Sequence, residues 1–162
     1  MTRAVIFITA AGMIAAASPV AAAAPTDPQI AHIAYTAGQL DIAAGKQALK
    51  KSKNKDVRAF ADQMVKDHAA VNKQALDLVK KLKVTPQDNP TSQALAKQAK
   101  AKSAELAKLS GKAFDKAYVD NALETTLIPS ASNAELKSLL ETGLKIFQGH
   151  EQHAEHVAAM LK

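Results

Sequence analysis

Residues 55–82 read KDVRAFADQMVKDHAAVNKQALDLVKKL, and their spacing decides the fold. Val57, Phe60, Ala61, Met64, Val71, Ala75, Leu78 and Leu82 recur at helical intervals, which places them on one stripe of an α-helix. Ser52-Lys53-Asn54-Lys55 before this run reads as a turn. Lys80, Lys81 and Lys83 close it, where cations complement the helix dipole.

The same periodicity extends in both directions. Upstream, Asp27-Pro28 reads as an N-cap followed by Pro at the first helical position. A helix to about Lys51 then carries Ile30, Ile33, Ala34, Ala37, Leu40, Ala44 and Ala48 on one stripe. Gly38 and Gly45 interrupt it at a propensity cost of about 1 kcal/mol each, which predicts close approach by a neighbouring helix. Downstream, Thr85-Pro86-Gln87-Asp88-Asn89-Pro90 is a loop. A weaker helix follows from about Thr91 to Leu109, ending at Ser110-Gly111. A short one begins near Lys112 and carries Phe114, Tyr118 and Ala122. Thr125 to Ser132, with Pro129 inside, breaks the chain. Asn133 then caps a last helix that buries Leu136, Leu140, Phe147, Ala154, Val157 and Leu161. No segment alternates like a half-buried strand, so the fold class is an all-α, up-and-down bundle.

Composition agrees. Hydrophobic residues make up 48% of the 162, but aromatics only 4%, so the apolar mass is Ala, Leu, Val and Ile, which suits close helix packing. With no Cys there is no disulfide framework, thiolate metal site or cysteine nucleophile. The formal charge of +6 comes from lysines spread over helix ends. No Arg-rich stripe or aromatic platform accompanies them, and no nucleic-acid partner is expected.

Residues 1–24 read MTRAVIFITAAGMIAAASPVAAAA. A short basic region with Arg3, an apolar run from Ala4 to Ala17, Pro19 and a string of small residues are the three parts of a secretory signal peptide. The run is shorter than the ~20 residues of a membrane span. Residues 25–162 are then the bundle domain, with the periplasm as destination; an uncleaved leader anchoring the chain is the alternative.

Three polar residues occupy apolar stripes. Asp41 falls within about 30° of the centre of the first stripe, and His68 lies at the centre of the second, with Asp67 at its edge. On the last helix His150 is central and His153 flanks it, while His156 and His32 point outward. Asp41, His68 and His150 are also near mid-length of their helices, so in an antiparallel bundle they converge. Such a group is costly to bury unless its members bond one another or a cation. The first reading is a polar core fixing the register of the bundle. The second is a metal site of Asp41, His68, His150 and His153, whose imidazole–carboxylate chemistry suits zinc, copper, nickel or iron. No Ser–His–Asp spacing, phosphate loop or paired-Glu signal appears, and the two Glu-x-x-His motifs of a di-iron bundle are absent.

The stretches Gln39–Ala48 (QLDIAAGKQA), Val57–His68 (VRAFADQMVKDH), Leu109–Val119 (LSGKAFDKAYV), Thr126–Pro129 and Asn133–Lys137 together resemble the domain-of-unknown-function 4142 family. The likeness runs from about Asp27 to the end. It implies a bacterial, exported protein with a ferritin-like four-helix bundle and no settled activity. Asp41 stands where the family has Glu, while His68 and His150 match its recurring histidines. The resemblance also exposes a departure: relatives continue the Tyr118 helix for about three more turns, through another His. The shortened helix leaves apolar surface uncovered, which favours self-association as a homodimer, or instability.

Three functional classes follow. The leading one is an exported, envelope-associated, non-enzymatic bundle protein. The second is a metal-dependent ferritin-like oxidoreductase or metal-handling protein. The third is a module that binds a protein or membrane through its basic surface. For the leader, mass spectrometry of the mature protein should show a start at Ala23 or Ala24; an intact Met1 in the membrane fraction would place the chain among anchored proteins instead.

Overall fold

The computed structural model describes residues 24–123 and 133–161. The leader, except Ala24, and the break at Thr125–Ser132 lie outside them. Five helices follow in order: α1 (Asp27–Lys51), α2 (Lys55–Lys81), α3 (Pro90–Lys108), α4 (Gly111–Leu123) and α5 (Ala134–Met160). No strand occurs among the described residues.

Capping explains where the helices begin. Asn54 accepts from the Asp56 and Val57 N–H groups at 2.8 and 3.2 Å, Asn89 from Ser92 at 3.0 Å and Asn133 from Leu136 at 3.0 Å. The start of α1 differs from expectation. Thr26, not Asp27, is its N-cap, and the Thr26 N–H donates to Gln29 Oε1 at 2.9 Å. Asp27 is engaged elsewhere: its carboxylate accepts from the Asn133 N–H at 2.9 Å, tying the start of α5 to that of α1. At the other end of α1, the Arg58 guanidinium donates to the free carbonyls of Leu49 and Ser52.

α2 turns back along α1, and the two glycines are the reason that they lie so close. A Cβ on Gly45 would stand 2.7 Å from Val65 Cγ2 and 3.0 Å from the Ala61 carbonyl oxygen. One on Gly38 would collide with the Asn72 side chain. α5 lies on α2, and α4 on both α5 and α1. The buried centre of this packing is Phe60, Met64, Leu106, Phe114, Tyr118 and Val157 with small residues between them. A second cluster of Ile30, Ala31, Val79 and Leu136 closes the far end. α3 rests mainly on α1, held by Gln47 Nε2 donating to the Ser103 carbonyl at 3.1 Å and Lys51 Nζ to that of Ala107 at 2.5 Å.

At 1.5 Å per residue α4 is about 20 Å long beside about 38 Å for α1. Below its end, Ala37 and Leu40 of α1 are only half-buried, whereas Ile30, Ile33 and Ala48 are buried. His32, expected to point outward, is half-buried instead, with Nδ1 3.9 Å from Asp88.

The glycines give opposite expectations. Gly45→Ala should destabilise by about 1–3 kcal/mol, because backbone must shift to admit the methyl. Gly149, with nothing within 4 Å of its would-be Cβ, should gain about 0.5–1 kcal/mol as Ala. Thermal melts of the two single mutants check this, and equal effects would refute the close approach.

Candidate functional site

Helical periodicity brings His68 of α2 to the bundle interior, where it is only 3% exposed. Its ring stacks on Phe147 of α5 at 4.6 Å, nearly parallel, and lies 5.4 Å from the ring of His150. From α1, Asp41 Oδ2 approaches His68 Nδ1 to 3.7 Å, facing it but beyond hydrogen-bond reach. Asp41, His68 and His150 are thus neighbours, as their mid-helix positions predict.

The site also contains a residue that the stripe argument left at its margin. His150 Nε2 meets Asp67 Oδ2 at 2.7 Å. The Asp67 carboxylate accepts further hydrogen bonds from Gln63 Nε2 at 2.9 and 2.8 Å. His153 is not drawn in: it lies one turn further along α5, edge-on to Phe60 at 5.2 Å. The cluster is therefore two carboxylate–imidazole pairs side by side, Asp41 with His68 and Asp67 with His150. Among the described residues, no three of the His, Asp and Glu side chains stand together so as to hold an ion.

The pairs sit against space. A cavity of about 80 Å³ lies between α1, α2 and α5 beneath the end of α4. Its walls are apolar or small along most of their length, and Asp41, His68 and His150 line it too. A second cavity, of about 240 Å³ between α1 and α3, shares Ala37 and Asp41 with the first.

A family model for a domain of unknown function (DUF4142) matches residues 12–157. The chain belongs to that family. No curated protein and no solved structure matches it.

In this DUF4142 protein the polar core leaves atoms unsatisfied. His68 Nδ1, His150 Nδ1 and the Tyr118 hydroxyl are buried without a hydrogen bond. Burial pushes the Asp41 carboxyl up to about 7 and the His68 imidazole down to about 4, the latter helped by the charge of His150. Burial, then the nearby Asp41 charge, raises the Tyr118 phenol. Asp67 goes the other way. Its partial burial opposes ionisation, but hydrogen bonds from Gln63 and His150 outweigh it and hold the carboxyl below its ordinary value. Near neutral pH, His68 is thus uncharged and Asp41 is in mid-titration. Among the described residues no helix is long and apolar enough to cross a membrane.

These shifts fix a pH dependence. Asp41 binds its proton more tightly folded than unfolded, from an ordinary 3.8 to about 7. Its contribution is therefore full below about pH 4 and lost as pH rises through about 7. His68 is depressed from 6.5 to about 4. Its contribution is full above about pH 6.5 and lost as pH falls through about 4. Asp41→Asn should therefore melt higher relative to wild type at about pH 8 than at about pH 5. A difference independent of pH would mean that Asp41 ionises as freely in the folded chain as in the unfolded one.

Proposed function

We propose that this chain is an exported, envelope-associated helical-bundle protein of the periplasm, with a ferritin-like four-helix arrangement and no catalytic activity of its own. In this reading α1, α2, α4 and α5 are the four walls, each touching at least two of the others, and α3 is an extra helix outside them. The leader supplies the address. The function of the buried cluster is to hold α1, α2 and α5 in one register.

One observation carries this reading: the imidazoles turn toward carboxylates rather than toward a common point. His150 Nε2 is bonded to Asp67 at 2.7 Å, and His68 Nδ1 faces Asp41. A bond between Asp67 and His150, with a second carboxylate and imidazole facing each other beside it, favours one alignment of otherwise slippery Ala- and Leu-rich stripes, because a slip strands a buried imidazole or carboxylate. The metal-handling reading requires those nitrogens to be free to converge on an ion.

Protein purified from the periplasm without a His-tag should carry no stoichiometric zinc, copper, nickel or iron. His150→Ala should lose about 1–3 kcal/mol of stability as Asp67 loses its donor, and His68→Ala should lose stability through the void left beside Phe147, while exposed His156→Ala melts as wild type. A bound ion that both core substitutions remove would replace the polar-core reading with the metal-handling one.

A further inference from the structure

The lysines are not distributed evenly over the bundle. α3 runs beside α1 in the same direction, so the α1–α2 turn and the α3–α4 turn lie together at one end. Lys51 joins them: its Nζ donates to the Ala107 carbonyl at 2.5 Å and stands 5.5 Å from the centre of the Phe114 ring. Residues 49–55 and 106–114, which make these turns, hold Lys50, Lys51, Lys53, Lys55, Lys108 and Lys112 and no Asp or Glu. All but Lys51 are exposed. Among the described residues none of these lysines is ion-paired, whereas Lys66, Lys73, Lys81, Lys102 and Lys116 each pair with a carboxylate elsewhere. The opposite end is balanced: Lys80, Lys81, Lys83 and Lys137 stand there among Asp27, Asp77, Asp88 and Glu135.

Helix stability accounts for part of this set and not for the rest. Lys50, Lys51 and Lys108 lie in the last turns of α1 and α3, where cations suit the dipole. Lys55 opens α2, Lys53 comes just before its cap Asn54, and Lys112 is in the first turn of α4. At those places the dipole favours carboxylates over ammonium groups, so stability alone would put Asp or Glu there. We propose that this end of the bundle docks on an anionic phospholipid bilayer, with Lys50, Lys53, Lys55, Lys108 and Lys112 meeting the lipid phosphates. A lysine ammonium is a compact charge on a flexible stem, without the fixed fork of Arg, which suits a fluid surface whose phosphates hold no set positions. Each lysine near such a surface adds to the attraction, so the group acts together. Met160, 49% exposed, stands at the same end, since its neighbour Leu161 packs on the cluster that Leu49 and Leu109 cover. It gives the headgroup layer an apolar side chain. This docking surface deepens the envelope association proposed above and rests on that reading for its setting in the cell.

Co-sedimentation of the mature protein with vesicles of phosphatidylglycerol and phosphatidylcholine in equal parts tests the proposal. Binding is expected at low ionic strength, with loss at about 1 M salt, where charges are screened within ~3 Å. Vesicles of phosphatidylcholine alone should not retain the protein. Lys53→Glu, Lys55→Glu and Lys112→Glu combined should weaken binding by about a hundredfold, at about fivefold for each ammonium removed. The same triple variant should melt no lower than wild type, because glutamates suit helix N-termini, and this separates lost docking from a lost fold. Lys80→Glu, Lys83→Glu and Lys137→Glu combined change the net charge equally at the other end and should weaken binding by less than about fivefold. No retention by the mixed vesicles, equal retention by neutral ones, or equal losses in the two triple variants would each overturn the proposal. The first leaves the lysines to solvent or, where polyglutamate binds instead, to an acidic protein. The second makes the contact apolar, and the third puts net charge in place of this surface. Export is read separately from the mature N-terminus, so a chain that keeps Met1 yet binds the vesicles fails the export reading alone.

Discussion

The near-contact of α1 and α2 at Gly45 and Gly38 is the constraint from which the rest of the structure follows. With Val65 Cγ2 and the Ala61 carbonyl at 2.7 and 3.0 Å from where a Cβ would be, these helices lie closer than any side chain between them would allow. That approach brings Asp41, one turn before Gly45, onto His68 of the facing helix. It also leaves α1 on one flank of α2 and α5 on the other, with α4 closing only the upper half of the space between them. The cavity is the remainder. Its position at mid-height and its polar end both follow from which residues the glycines place opposite one another.

The two carboxylate–imidazole pairs respond differently to the same interior. Asp67 keeps more than a quarter of its side chain in solvent, with Gln63 and His150 as donors, so its charge is retained. Asp41 is less exposed and, among the described residues, receives no hydrogen bond from the imidazole 3.7 Å away, so its charge is penalised. A single turn of packing separates a carboxylate that stays ionised from one that titrates near neutrality. The contrast comes from the number of donors as much as from depth.

Much of this could be read from the sequence, because the helices obey local rules. The stripe of α2, the cap at Asn133, and the mid-helix positions of Asp41, His68 and His150 all depend on neighbours within a turn or two. What was not legible depends on partners far along the chain. Asp27 has the composition of an N-cap, but Asn133, more than a hundred residues later, takes its carboxylate and leaves the cap to Thr26. Asp67 lies at the margin of the α2 stripe, and the margin of a stripe is the seam with the next helix, so only the placement of α5 could make it a partner of His150. His153 shows the converse: flanking the same stripe, it faces the seam where Phe60 already stands. The cavities were foreshadowed by the shortness of α4, whereas their shape depends on how α3 and α5 settle around the gap.

The bond between Asp27 and Asn133 has a consequence for the order in which the chain can become folded. α1 and α2 are joined by a three-residue turn and can pair as soon as both have emerged, since their contacts close only short loops. The first turn of α1 is held from two places: the Gln87 N–H donates to the Pro28 carbonyl at 3.0 Å and Asn89 Nδ2 to that of Gln29 at 3.2 Å, whereas Asp27 accepts from Asn133, 106 residues away. The start of the domain is thus fastened in two steps, first to the loop before α3 and then, once the last helix has formed, to α5.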